Sequence, residues 1–270
     1  MGADIKKLRN RIKSVDSTLH LTKAMGLVAS SKIRRATEGM MRAREYRRAV
    51  EKAIAPLMNT EDCKQSVYMS VKNAEGARMC LMVIAGDRGM AGGYNANVFR
   101  ALRAYPDAHI IPVGKRACDR FAGTLRYAEG FTYADAREVA AEICDGFAQG
   151  RYSGFGILYT EYISMMTQEA RVADVLPLML SDDVVGSVDM IFEPDAVTIL
   201  DSAVPEYVAG RIFAAVRESF ASEVAARRCA MDSAGKNAQE MIDSLQLEYN
   251  RARQGAITQE ITEIVAGSNA

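Results

Sequence analysis

Residues 5–54 read IKKLRNRIKSVDSTLHLTKAMGLVASSKIRRATEGMMRAREYRRAVEKAI, with apolar side chains at alternating steps of three and four. The positions are Ile5, Leu8, Ile12, Val15, Leu19, Thr22, Gly26, Ala29, Ile33, Ala36, Met40, Ala43, Arg47, Val50 and Ile54. Twelve of these fifteen are apolar when Ala is counted. A 3.5-residue repeat kept over seven heptads specifies a left-handed coiled coil. No proline precedes Pro56, where the helix is expected to stop. At ~1.5 Å per residue such a helix runs ~80 Å, so it is expected to project from the globular body.

The C-terminal end mirrors this pattern. Pro205 reads as a helix start, with Glu206 in the first turn. The apolar stripe runs Phe213, Phe220, Val224, Met231, Ala234, Ala238, Met241, Leu245 and drifts to Tyr249, Ala252, Ile257, Ile261 and Ile264. This second helix, ~90 Å long, can pair antiparallel with the first. Small residues at Gly26, Ala29, Ala36, Ala234 and Ala238 allow close approach. In that pairing the last turns, from Gln254 to Val265, outrun the first helix. A protruding apolar tip needs a partner to cover it.

The middle has another rhythm. Residues 79–85 form a continuous apolar run, a buried strand. A Gly-rich turn follows (Asp87 to Gly93), then a helical pattern over 95–104 and a strand over 109–113. Helical patterns recur at 115–122 and 133–149. Strands are expected at 156–160, 168–176 and 190–193, and the polar stretch 59–77 reads as a linker. Alternation of this kind means a small α/β domain with a mostly parallel sheet. The expected organisation is therefore a coiled-coil helix over 1–56, an inserted Rossmann-like α/β domain over 57–204 and a coiled-coil helix over 205–270.

Lys plus Arg and Asp plus Glu number 34 each, but the charge is uneven. Residues 1–56 carry 14 basic and 5 acidic side chains, so this arm suits an acidic partner. No apolar run is long enough for a membrane span. The charged N-terminal stretch does not resemble a secretory signal. Five scattered cysteines and two histidines offer no metal-ligand spacing, which argues against a structural zinc.

Two other functions fit parts of the pattern. Gly86, Gly89, Gly92 and Gly93 follow a strand, as in dinucleotide-binding folds, but their spacing is neither G-x-G-x-x-G nor a P-loop. A tight strand-to-helix turn that needs φ > 0 is the simpler reading of these glycines. The basic helix could bind nucleic acid, although Tyr46 is its lone aromatic residue and most such runs are solvated faces. Neither His20 nor His109 has the neighbours of a nucleophilic triad. Asp182-Asp183 and Glu193-Pro194-Asp195 read as turns and helix caps.

Three stretches carry a more specific signal. The first runs from Ile12-Lys13-Ser14-Val15 to Thr22-Lys23-Ala24-Met25-Gly26-Leu27-Val28-Ala29-Ser30-Ser31-Lys32. The second is Asp87-Arg88-Gly89-Met90-Ala91-Gly92-Gly93-Tyr94-Asn95, and the third runs from Tyr249-Asn250-Arg251-Ala252-Arg253-Gln254 to Ile264-Val265. Together they resemble the gamma subunit family of bacterial F-type ATP synthases, the central rotor shaft; the third matches almost residue for residue. Departures are Gly26 where relatives tend to carry Glu, Gly255 for a small Ala or Ser, and Met90-Ala91 for Leu-Cys.

The resemblance implies a non-catalytic subunit with no cofactor of its own, peripheral on the cytoplasmic face of a bacterial membrane. Its coil would turn inside a ring of alpha and beta subunits. Its α/β domain would meet the epsilon subunit and the membrane c-ring. By motif position, Lys23, Met25, Lys32, Arg227, Gln254, Thr258, Glu260 and Glu263 would make the rotor–stator and coupling contacts. Two glycines, Gly26 and Gly255, in exposed helix would each cost ~1 kcal/mol relative to Ala and soften the shaft.

Overall fold

The computed structural model describes residues 2–70, 76–179 and 192–268. Two helices bracket the chain, α1 (Gly2–Met58) and α5 (Ala196–Ser268). The chain divides into two compact units: residues 1–30 with 227–270, and residues 31–226.

In the first unit the helices pair antiparallel. Leu19 is buried with Ala238 and Ile242, and Val15 packs beside them. Nearer the other end, Arg228 Nη1 donates to the Gly26 carbonyl at 3.2 Å. Every heptad position of α1 from Ile5 to Ala29 is buried or half-buried. On α5 the stripe is offset from the expected one. Ile242 is 5% exposed and Met241 44%. The seam therefore runs Met231, Gly235, Ala238, Ile242, Leu245, Tyr249, Ala252, Ala256, all buried or half-buried and again in steps of four and three.

Gly26 thus lies in the seam, not on exposed helix, whereas Gly255 is exposed. A Cβ on Gly26 would stand 3.7 Å from Met231 Cβ, and one on Gly235 would stand 3.7 Å from Thr22 Oγ1. These are ordinary contacts. Gly26→Ala and Gly235→Ala are each expected to raise stability by about 0.5–1 kcal/mol, from reduced unfolded-chain entropy and better helix propensity. Denaturant midpoints of the two variants check this; a fall in either would mean the seam is closed more tightly than these distances imply.

The second unit is built on four strands: β1 (Arg78–Ile84), β2 (His109–Val113), β3 (Tyr152–Tyr162) and β4 (Gln168–Leu176). Their spatial order is β2-β1-β3-β4. The first three are parallel and β4 runs antiparallel along β3. Side chains alternate between two cores, as strand period requires. Leu81, Val83 and Leu158 face α2 (Tyr94–Ala101) through Val98. Cys80, Met82 and Ile84 face α4 (Tyr133–Ala148) and the early turns of α5 through Ile143, Leu200 and Val208. Burial pushes the Cys80 and Cys144 thiols up to about 12, so both are inert packing groups.

Several boundaries differ from the sequence reading. Pro56 does not stop α1, which continues to Met58; Leu57 and Met58 are core residues, and a proline in the last turn forfeits one hydrogen bond. Pro205 lies inside α5. The helix starts earlier because Asp195 caps it, accepting from the Thr198 amide at 2.8 Å and the Thr198 hydroxyl at 2.7 Å. These hydrogen bonds hold the Asp195 carboxyl below its usual range. Leu200, Val204, Val208 and Ile212 are fully buried. At about 1.5–3 kcal/mol each, they outweigh the ~3 kcal/mol cost of an interior proline.

The helix expected over 115–122 shrinks to α3 (Lys115–Cys118). α4 begins as read, with a capping box in which Asp135 accepts from the Thr132 amide at 2.7 Å. The supposed linker holds a 3-10 turn, Asp62–Gln65. It also buries Cys63, Ser66 and Tyr68, and the Ser66 hydroxyl donates to Asp201 on α5. Of the strand expected over 190–193, Phe192 and Glu193 are not in a strand, and 190–191 lie outside the described residues, as does Asp182-Asp183.

Candidate functional site

In a sheet of this topology ligands bind at the carboxyl ends of the strands, where the strand order reverses. Here that place lies at the ends of β1 and β3, and the chain itself fills it. A Cβ on Gly86 would fall 2.9 Å from Glu223 Cδ of α5. Tyr94 Oη donates to the Ser219 carbonyl at 3.0 Å, and the Thr160 amide donates to Ser219 Oγ at 3.0 Å. Helix α5 therefore lies in the crevice.

The Gly-rich turn has a structural task. Asp87 accepts from the amides of Lys115 (3.1 Å), Ala128 (3.0 Å) and Glu129 (2.9 Å). A carboxylate of the chain thus takes backbone donors of the kind a phosphate would use. Gly114 has φ +86°, and a Cβ there would lie 1.9 Å from the Ala85 carbonyl oxygen. Met90 (φ 59°) and Gly92 (φ 57°) complete the reversal. The turn serves as a strand-to-helix joint.

The other candidate surface is the outside of the coil in the first unit. Leu21 (56%), Leu27 (69%) and Val28 (52%) are exposed. Beside them Gly26 and Gly235 leave a cleft of about 510 Å³ that Lys23, Met231 and Lys236 also line. Burial along α5 ends at Ala256: from Ile257 to Gly267 every residue is exposed, including Ile257, Ile261, Ile264 and Val265. Exposed apolar turns of this kind are typical of surfaces used in association.

The residues singled out by motif fall into three places. Lys23 is exposed, and Met25 and Arg227 are half-buried, on paired stretches of the first unit. Gln254, Thr258, Glu260 and Glu263 are exposed on the end of α5. The Thr258 hydroxyl donates back to the Gln254 carbonyl at 2.9 Å, and Glu263 accepts from Gln259 at 2.8 Å. Lys32 belongs to the second unit, where its ammonium pairs with Glu129, itself held through its amide by Asp87. Its charge is engaged within the chain. Leu21, Leu27 and Val28 were not singled out, yet they stand off the heptad positions, and apolar residues off a seam are the available signal.

The arrangement defines a coiled-coil protein built on a small α/β unit, with apolar side chains left exposed on its coil. A family model described as ATP synthase matches residues 4–270. The ATP synthase gamma chain of Ruminococcus albus is 40% identical over 98% of both chains. The sodium-ion-specific gamma chain of Acetobacterium woodii is 34% identical over 100% of this chain and 99% of its own. The rotor of the Euglena gracilis mitochondrial ATP synthase shares the fold, with TM-score 0.64 at 19% identity over 95% of this chain and 100% of that one. The chain belongs to the gamma-chain family of ATP synthases.

Proposed function

We propose that the chain is the central shaft of a bacterial F-type ATP synthase. Its coil turns inside the ring of alpha and beta subunits, and its α/β domain joins the epsilon subunit and the c-ring. It works at the cytoplasmic face of the membrane and is held there by its partners; among the described residues no helix is long and apolar enough to cross a membrane. Ion flow turns the c-ring, the shaft turns with it, and the beta subunits carry the ATP chemistry.

The observation that carries this reading is the end of α5. Residues 257–267 are exposed and rich in Ile, as required of an apolar pivot seated in a sleeve of other subunits. Lys23, Met25 and Arg227 lie lower on the same coil, beside exposed Leu27 and Val28, where a basic arm meets acidic loops of the stator. Lys32 contributes by fixing α1 to the α/β domain. A bearing must slip, so single contacts are weak and losses grow with the area removed.

The test is purification through a tagged copy of this chain, with subunit stoichiometry and ATP hydrolysis measured on what co-purifies. One copy per three alpha and three beta subunits is expected. Deleting residues 257–270 is expected to lower coupled turnover roughly tenfold, equivalent to about 1.4 kcal/mol, while Thr258→Ala or Glu263→Ala costs less than about twofold. Recovery of the chain alone from cells that hold an intact synthase would overturn the reading.

A further inference from the structure

A second cleft, of about 500 Å³, opens within the α/β unit between α1, α5 and the loop before α4. Lys32, Arg35, Arg217 and Glu129 line it, with Ser31 and Phe220. Glu129 is paired with Lys32. The two guanidinium groups remain, and among the described residues neither has a hydrogen-bonded or ion-paired acid. Arg217 is half-buried and its guanidinium lies over the Phe213 ring, 5.0 Å from the centroid. Burial alone shifts it, downward from its ordinary value. A desolvated cation without a counter-charge is costly, and an anion in the cleft relieves that cost.

We propose that this cleft binds a compact phosphate-class anion between Arg217 and Arg35. The guanidinium fork matches tetrahedral oxyanions bidentately. Two such forks from different helices suit a group that offers oxygens in several directions. The recessed position of Arg217 favours a small anion over an extended acidic segment, and Phe220 supplies an apolar wall that a nucleoside could also use. This site is separate from the crevice filled by α5, and it stands or falls independently of the rotor reading.

Calorimetric titration of the full-length chain at constant ionic strength of about 0.1 M tests it, with inorganic phosphate, pyrophosphate and ADP as probes. At least one probe is expected to bind one saturable site. Arg217→Gln should weaken it about tenfold or more and Arg35→Gln about threefold or more, while Arg103→Gln, outside the cleft, leaves it unchanged. Tighter ADP would identify a nucleotide as the source of the phosphate; equal or tighter pyrophosphate would identify an inorganic anion. Arg35 is exposed, so its variant remains informative if Arg217→Gln fails to fold. No saturable binding below about 10 mM for any probe, or equal binding by wild type and Arg35→Gln, would overturn the proposal.

Discussion

Arg44→Ala is expected to destabilise the protein by about 3–5 kcal/mol. Arg44 Nε and Nη2 donate to the two carboxylate oxygens of Glu218 at 3.1 and 2.6 Å, and Nη2 also reaches the Tyr162 carbonyl at 3.0 Å. The Glu218 side chain is only 8% exposed, and its Oε1 also accepts from the Tyr162 amide at 3.1 Å. The hydrogen bond to Glu218 raises the Arg44 pKa, and burial opposes that rise. Removing the cation strands a buried carboxylate, which costs far more than loss of a surface pair, worth about 0–1 kcal/mol. Arg44→Met with Glu218→Leu removes both charges and should recover most of the loss. Urea midpoints of the single and double variants decide the matter. A loss below about 1 kcal/mol for Arg44→Ala would mean that water reaches Glu218 in the folded chain.

The second large effect is expected at Asp87. Asp87→Ala removes the acceptor for three amides. Each orphaned donor costs about 1–3 kcal/mol when water cannot replace the partner. The site is half-buried, so a total near 3 kcal/mol is expected. Asp87→Asn keeps one acceptor oxygen and should lose about half as much. Native-state hydrogen exchange supplies a local readout, with the amides of Lys115, Ala128 and Glu129 exchanging faster in Asp87→Ala. Unchanged exchange at all three would show that the carboxylate does not hold this turn. Because Glu129 carries Lys32 and Arg88 on its carboxylate, loosening its backbone also weakens the tie to the middle of α1 at Lys32.

The long helices were legible because a heptad repeat is a global signal that single residues do not erase. The register of α5 is ambiguous in the sequence where Met241 and Ile242 stand side by side, both apolar. The partner helix selects Ile242, and one sequence cannot show that choice directly. Pro56 and Pro205 misled for a related reason: local rules place prolines at helix ends, but burial of Leu57 or of Val204 and Val208 is a tertiary gain. The segment 59–77 looked like a linker because its anchors, Cys63, Ser66 and Tyr68, are few and partly polar. At the candidate site, the exposed end of α5 followed from the unequal reach of the two helices. The pairing of Lys32 with Glu129 did not, since 97 residues separate them.

Strand β3 outruns its neighbour β1, whose pairing ends at Leu158. Past that point α5 supplies the missing edge: Ser219 Oγ accepts from the Thr160 amide, Ser222 Oγ donates to the Thr160 carbonyl at 3.1 Å, and Glu218 takes the Tyr162 amide. These three side chains act like a key in a keyway. A one-residue roll of the helix, about 100°, would break all three bonds at once and leave buried polar groups unmatched. Twist applied to this stretch of α5 is therefore passed to the sheet rather than lost as slippage.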